Sequence, residues 1–186
     1  MLLFFLRRAA TGALRWPQSL LHGLLTVSCV LAMTSKPLHA APKDGEKFRD
    51  WTVKCEQFKD RNDRKFTQCH IFQDLKYKDR GIRLLHMAVA YPPNSPKQPV
   101  GILTMPLGVY LPAGVTMQVD KRDPVKLVFE RCEPVGCKAG FPIEDSMLNA
   151  FRKGAQARIT FHDMRRQSVT IPVSLRGFTA AFSSLK

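Results

Sequence analysis

Past residue 40 the chain holds four cysteines, Cys55, Cys69, Cys132 and Cys137, and their placement constrains the fold more than any other feature. Four thiols allow three pairings. The sequence-local one, Cys55 with Cys69 and Cys132 with Cys137, is preferred because each pair brackets a turn, Arg61-Asn62-Asp63 in the first and Glu133-Pro134-Val135-Gly136 in the second. Closing the longer loop is worth about 3 kcal/mol in the chain-entropy account and the shorter about 2 kcal/mol, a large share of the roughly 5–15 kcal/mol that holds a domain together. A zinc site is the rival reading. The Cys132-x4-Cys137 spacing has no matching His or Cys pair, and no Cys-x-x-Cys opens a helix as a redox-active thiol requires.

Disulfides imply an oxidising compartment, and the amino terminus supplies the route. The first forty residues carry Arg7, Arg8, Arg15 and Lys36 with no acid, followed by an apolar stretch from Leu20 to Met33 and the small-residue exit Leu38-His39-Ala40. This is the order of a secretory signal, with cleavage expected after Ala40. The apolar stretch is interrupted by His22 and Gly23 and is shorter than the about 20 residues that span a bilayer. A twin-arginine route is disfavoured by Ala9-Ala10-Thr11 after the arginine pair, and lipidation at Cys29 by the poor approach Thr26-Val27-Ser28.

Residues 41–186 are enough for one domain with a single core. Four of the 29 basic residues lie in the leader, which leaves 25 against 15 acids, a formal charge of +10. Attraction to anionic surfaces follows. The charges are interspersed, as in Lys59-Asp60-Arg61-Asn62-Asp63-Arg64-Lys65, which is the pattern of a solvated surface and not of a nucleic-acid arm.

Alternation places Trp51, Val53 and Cys55 on one face of a strand, with Cys69 to Leu75 as its return. Ile82 to Tyr91 is apolar on both faces and is expected to be central. Val100–Met105, Val109–Leu111, Val115–Val119 and Val125–Phe129 follow as short strands between Pro/Gly turns. Glu144–Lys153 reads as a helix, with Met147, Leu148 and Phe151 on one side and Gly154 as its stop. Strands Ala157–Phe161 and Val169–Leu175 come next, and Phe178, Ala181, Phe182 and Leu185 share one face of a terminal helix. The expected fold is a mainly β sandwich with one or two short helices.

Several motifs occur together in order: Trp51-Thr-Val-Lys-Cys55, Cys69-His-Ile-Phe-Gln73, Met105-Pro-Leu-Gly-Val109-Tyr-Leu-Pro-Ala-Gly-Val115 with Asp120, Phe129-Glu-Arg-Cys132, Gly136-Cys137-Lys-Ala139 and Val173-Ser-Leu-Arg-Gly-Phe-Thr-Ala-Ala181. From Trp51 to Leu185 the chain resembles the invasion-associated locus B family of secreted bacterial proteins. That resemblance implies an immunoglobulin-like β-sandwich in the periplasm or at the outer surface, with entry into host cells as the setting of some members. It implies no active site.

The residues themselves offer little chemistry. His70, His86 and His162 are the histidines left after cleavage, and none has a recognisable nucleophile-and-acid arrangement around it. His86, on a face with Leu84 and Ala88, reads as a packed side chain, and His162 and Asp163 should point to opposite faces of a strand. Glu144-Asp145 open a helix, where acids simply stabilise the terminus. No phosphate loop, Gly-x-Ser-x-Gly elbow, metal-ligand pair or cofactor motif occurs, so no catalytic residue, metal or cofactor is expected. Phe66 and Phe72 are expected in the core. Tyr77 stands among Lys76, Lys78 and Arg80, and these four with Arg165 and Arg166 are the candidate anion contacts, weighed against a merely solvated loop. The expected partner is an anionic envelope or host-surface component, with an anionic glycan or lipopolysaccharide as the alternative. Membrane contact is expected only through the leader, and export makes nucleic acid no partner.

Overall fold

The computed structural model describes residues 41–186, so the leader expected over residues 1–40 lies outside the described residues. In chain order the described elements are β1 (Lys47–Phe48), β2 (Trp51–Lys59), β3 (Lys65–Lys76), β4 (Arg83–Ala90), β5 (Val100–Met105), β6 (Val115–Val119), β7 (Val125–Leu127), β8 (Arg131–Glu133), β9 (Gly136–Pro142), α1 (Asp145–Lys153), β10 (Gln156–His162), β11 (Ser168–Ser174) and α2 (Phe178–Ser183). They form a seven-stranded sheet ordered β1-β2-β3-β4-β5-β9-β8 and a four-stranded sheet ordered β11-β10-β6-β7, with every strand pair antiparallel. The architecture is the expected one: mainly β, sandwich-like, with two short helices.

Period-two alternation explains the layering. Trp51 and Val53 of β2, Ile71 and Gln73 of β3, and Leu85, Met87 and Val89 of β4 face inward. Val115, Met117 and Val119 of β6, Ala157, Ile159 and Phe161 of β10, and Ile171 and Val173 of β11 supply the inner face of the smaller sheet. The Ser174 carbonyl accepts hydrogen bonds from Trp51 Nε1, at 3.1 Å, and from Gln73 Nε2, and so ties β11 to β2 and β3. These bonds satisfy two side chains that burial would otherwise penalise.

Both helices lie where the periodicity predicts them. Phe151 of α1 and Phe178 of α2 meet edge to face at 5.3 Å, and Phe178 meets Trp51 in the same way at 5.2 Å. Gly177 enters α2 at φ +88°, and a Cβ there would run into the Phe48 carbonyl, so the turn into α2 requires glycine.

Four details differ from expectation. Val109 makes a single bridge to Asp163, and Leu111–Ala113 is a 3-10 turn in place of a strand, because Pro112 removes a ladder donor and fits the first turn of a helix. The seventh strand stops at Leu127, before the chain crosses to β8. The Cys132–Cys137 segment is more than a turn: it joins β8 to β9, and β9 inserts between β5 and β8. Its two glycines and terminal proline disguise it as loop, yet Cys137, Ala139 and Phe141 are buried, with Phe141 lying over the space that a side chain at Gly101 would fill. Phe66 and Phe72 are only half-buried, since Ile71 and Gln73 hold the inward parity and even-numbered residues of β3 face out.

Candidate interaction surface

The β3–β4 turn carries the cluster with Tyr77. The Tyr77 amide donates to the Ile82 carbonyl at 2.9 Å and the Gly81 amide to the Tyr77 carbonyl at 3.2 Å, which closes a compact loop on Gly81 at φ +64°. Tyr77 is 56 % and Ile82 54 % exposed, and Lys76, Lys78 and Arg80 point into solvent. The adjoining acid is already engaged, because Asp74 binds Arg83 at 3.3 Å and His86 Nδ1 at 2.9 Å. Among the described residues no carboxylate lies within 4 Å of Lys76, Lys78 or Arg80.

Two further cations leave the sheet at this end. Thr52 pairs with Phe72, so the Arg49–Asp50 turn precedes β2 where β3 runs on to Lys76. The Asp50 amide donates to the Arg176 carbonyl at 3.4 Å, and the Asp50 carboxylate accepts the Ser174 hydroxyl at 2.6 Å. Arg49 and Arg176 are exposed without an ion-pair partner among the described residues. Sequence reasoning missed both, and no local signal marks them, because only the fold gathers them beside Lys76. Their summed field counts for more than any single surface pair.

Arg165 and Arg166 occupy the β10–β11 turn of the smaller sheet. Asp163 Oδ1 accepts the Arg165 and Gln167 amides at 2.9 and 2.8 Å and shapes that turn. The Arg166 guanidinium lies 4.9 Å from the centre of the Tyr110 ring, a cation–π arrangement. No hydrogen bond or ion pair among the described residues joins this pair to the Lys76–Arg80 loop.

Cys55–Cys69 and Cys132–Cys137 are the two disulfides, as the sequence-local pairing predicts. Each joins residues directly opposite one another in a hairpin.

Among the described residues no histidine side chain hydrogen-bonds to a hydroxyl or thiol. His86 stacks on Phe72 at 5.4 Å and holds Asp74, and the His70 ring lies tilted 5.9 Å from the Phe72 ring, where burial keeps its pKa below the ordinary value. His162 Nδ1 is buried without a hydrogen-bond partner among the described residues, while Asp163 shapes the following turn. A groove of about 590 Å³ between β6–β7 and α1 is floored by Met117, Val119, Leu127 and Phe141 and contains no histidine. No helix among the described residues is long and apolar enough to cross a membrane.

The sequence profile of the family described as Invasion associated locus B (IalB) protein matches residues 51–186. The chain belongs to that family. Two invasion protein B homologues, from Brucella abortus strain 2308 and from Brucella abortus biovar 1 strain 9-941, are each 28 % identical over 142 residues, covering 76 % of this chain and 78 % of theirs. The crystal structure of invasion associated protein B from Bartonella henselae superposes with a TM-score of 0.64 at 21 % identity, covering 75 % of this chain and 92 % of that one. At that identity the likeness speaks for the IalB fold. The family is described by association with invasion and not by a catalysed reaction.

Proposed function

We propose that this IalB protein is exported, loses residues 1–40, and works in the periplasm or at the outer surface as a non-enzymatic module that engages an anionic envelope or host-surface component. One observation carries the reading: Lys76, Lys78 and Arg80, with Arg49 and Arg176, gather at one end of the larger sheet without carboxylate partners among the described residues. The two disulfides support an oxidising compartment. The names of the Brucella relatives motivate contact with host cells as the setting.

Crosslinking of the protein in its native envelope, followed by fractionation, tests this. Capture of periplasmic, outer-membrane or host-surface partners is the expected result, whereas a cytosolic pool with reduced thiols would sink it. The alternative partner, an anionic glycan or lipopolysaccharide, is favoured by Tyr77 standing among cations. Its binding should weaken steeply with salt, because exposed charges are screened.

A further inference from the structure

Exposed apolar side chains and unpaired cations recur together on two separate loops, and strand register brings those loops out at one end of the molecule. Leu75 pairs with Leu85 and His86 with Thr104, so β5 ends at Met105 beside the point where β3 turns into β4. With neighbouring strands about 4.8 Å apart, these exits lie roughly 10 Å from each other. Leu107 follows directly, and a Cβ at Gly108 would sit 3.7 Å from Met164 Cγ, while Val109 bridges Asp163. Leu107 and Met164 therefore emerge side by side, 59 % and 78 % exposed, next to Arg165. Tyr77 and Ile82 emerge on the other loop next to Lys76, Lys78 and Arg80.

The acids at this end are fewer than the cations. Asp74 pairs with Arg83 and His86, and Glu133 of the neighbouring β8–β9 hairpin with Arg131 and Lys138, while Asp50, Asp79 and Asp163 are outnumbered by Lys76, Lys78, Arg80, Arg165, Arg49 and Arg176. An apolar tip ringed by an excess of cations is the composition that settles at a bilayer interface, where aliphatic and aromatic groups enter the headgroup layer and cations meet anionic lipids. A polyanionic saccharide would use the cations and Tyr77 and leave Leu107 and Met164 idle.

We propose that this loop face docks on the surface of a bilayer containing anionic phospholipid, with Tyr77, Ile82, Leu107 and Met164 as the apolar contacts and Lys76, Lys78, Arg80 and Arg165 as the headgroup contacts. This rests on the anion-binding reading above and goes past the expectation that membrane contact is confined to the leader.

The test is co-sedimentation of the purified, disulfide-bonded protein with vesicles of phosphatidylglycerol and phosphatidylethanolamine, against vesicles of phosphatidylcholine alone and against heparin. Binding to the anionic vesicles and not to phosphatidylcholine is expected, with salt-sensitive binding to heparin through the cations alone. Lys78→Gln and Arg80→Gln should each lower that binding about five-fold, since a cation near an anionic surface is worth about 1 kcal/mol. Leu107→Ser with Met164→Ser should weaken vesicle binding and leave heparin binding unchanged. A Tyr77→Trp variant supplies a readout independent of affinity: its added emission should shift to the blue with anionic vesicles. Heparin binding without vesicle binding would keep the anion-binding reading and overturn the bilayer assignment. Binding to neither would overturn both, and equal binding to phosphatidylcholine would remove the role of the cations.

Discussion

The two disulfide-bonded hairpins are closed by the same covalent device and depend on it differently. Cys55 and Cys69 face each other across β2–β3 with Cα atoms 4.1 Å apart, and Cys132 and Cys137 across β8–β9 at 3.9 Å. The pairing of β4 with β3 reaches only as far as His70 and Ala90. Beyond Cys55–Cys69 the chain therefore continues as a two-stranded arm, where Phe58 stacks on Phe66 at 5.9 Å while remaining 45 % exposed. A two-stranded ribbon with no third strand is marginal in water. β9, by contrast, is paired along β5 from Pro142 to Cys137 and buries Ala139 and Phe141 in the common core. The first staple supports an element that has almost no core of its own, whereas the second fastens a short edge to a strand that the core already holds.

Turn geometry, not the disulfide, should be the weakest point of the second hairpin. Gly136 has φ +138°, and a Cβ there would meet the Met105 carbonyl. Gly136→Ala should cost about 4 kcal/mol through backbone strain and overpacking together, read as a fall in the urea midpoint. Replacing Cys55 and Cys69 by serine should cost about 3 kcal/mol, with hydrogen exchange rising throughout residues 56–68. An arm still protected after that change would break the contrast between the hairpins. The matching Cys132→Ser with Cys137→Ser should cost about 2 kcal/mol, with exchange rising in β8 and not in β9. Phe58→Ala should cost about 0.5–1 kcal/mol, the worth of one cross-strand aromatic pair, and should leave β9 unaltered.

The smallest effect concerns the base of the arm. Burial lowers the pKa of His70, and this outweighs the attraction of Glu56. The neutral form is the folded one, so the unfolded chain takes up a proton first as the pH falls. The contribution of His70 is thus complete above its ordinary value of about 6.5 and diminishes below it. A His70→Gln variant should flatten this part of the stability profile in pH-dependent denaturation, and an unchanged slope would place its origin elsewhere.

Much of this architecture is legible in the chain. The alternation of Trp51, Val53 and Cys55, the three- and four-residue spacing of Met147, Leu148 and Phe151, and the turns between cysteine pairs all report local periodicities that the backbone obeys. β9 escaped because its glycines, Gly136 and Gly140, read as loop, although close neighbours leave no room for larger side chains there: a Cβ at Gly136 would meet the Met105 carbonyl and one at Gly140 the Glu130 carboxylate. Residue type alone puts Phe66 and Phe72 in the core, but parity from Ile71 outranks residue type along a strand.

The interaction surface divides in the same way. Lys76, Tyr77, Lys78 and Arg80 are contiguous, and a cluster of cations around an aromatic residue is visible without a fold. Arg49 joins them only through the pairing of β2 with β3 and Arg176 only through the hydrogen bond from Asp50 to its carbonyl, and Leu107 and Met164 meet only because Val109 bridges Asp163. Most of the strands, both helices and the preferred cysteine partners can be read from the chain alone, because each follows from interactions between residues near one another in sequence. The order of β9 between β5 and β8, and the company kept by charges distant in sequence, were decided by tertiary pairing, since long-range register depends on which strands share a core and no local pattern encodes it.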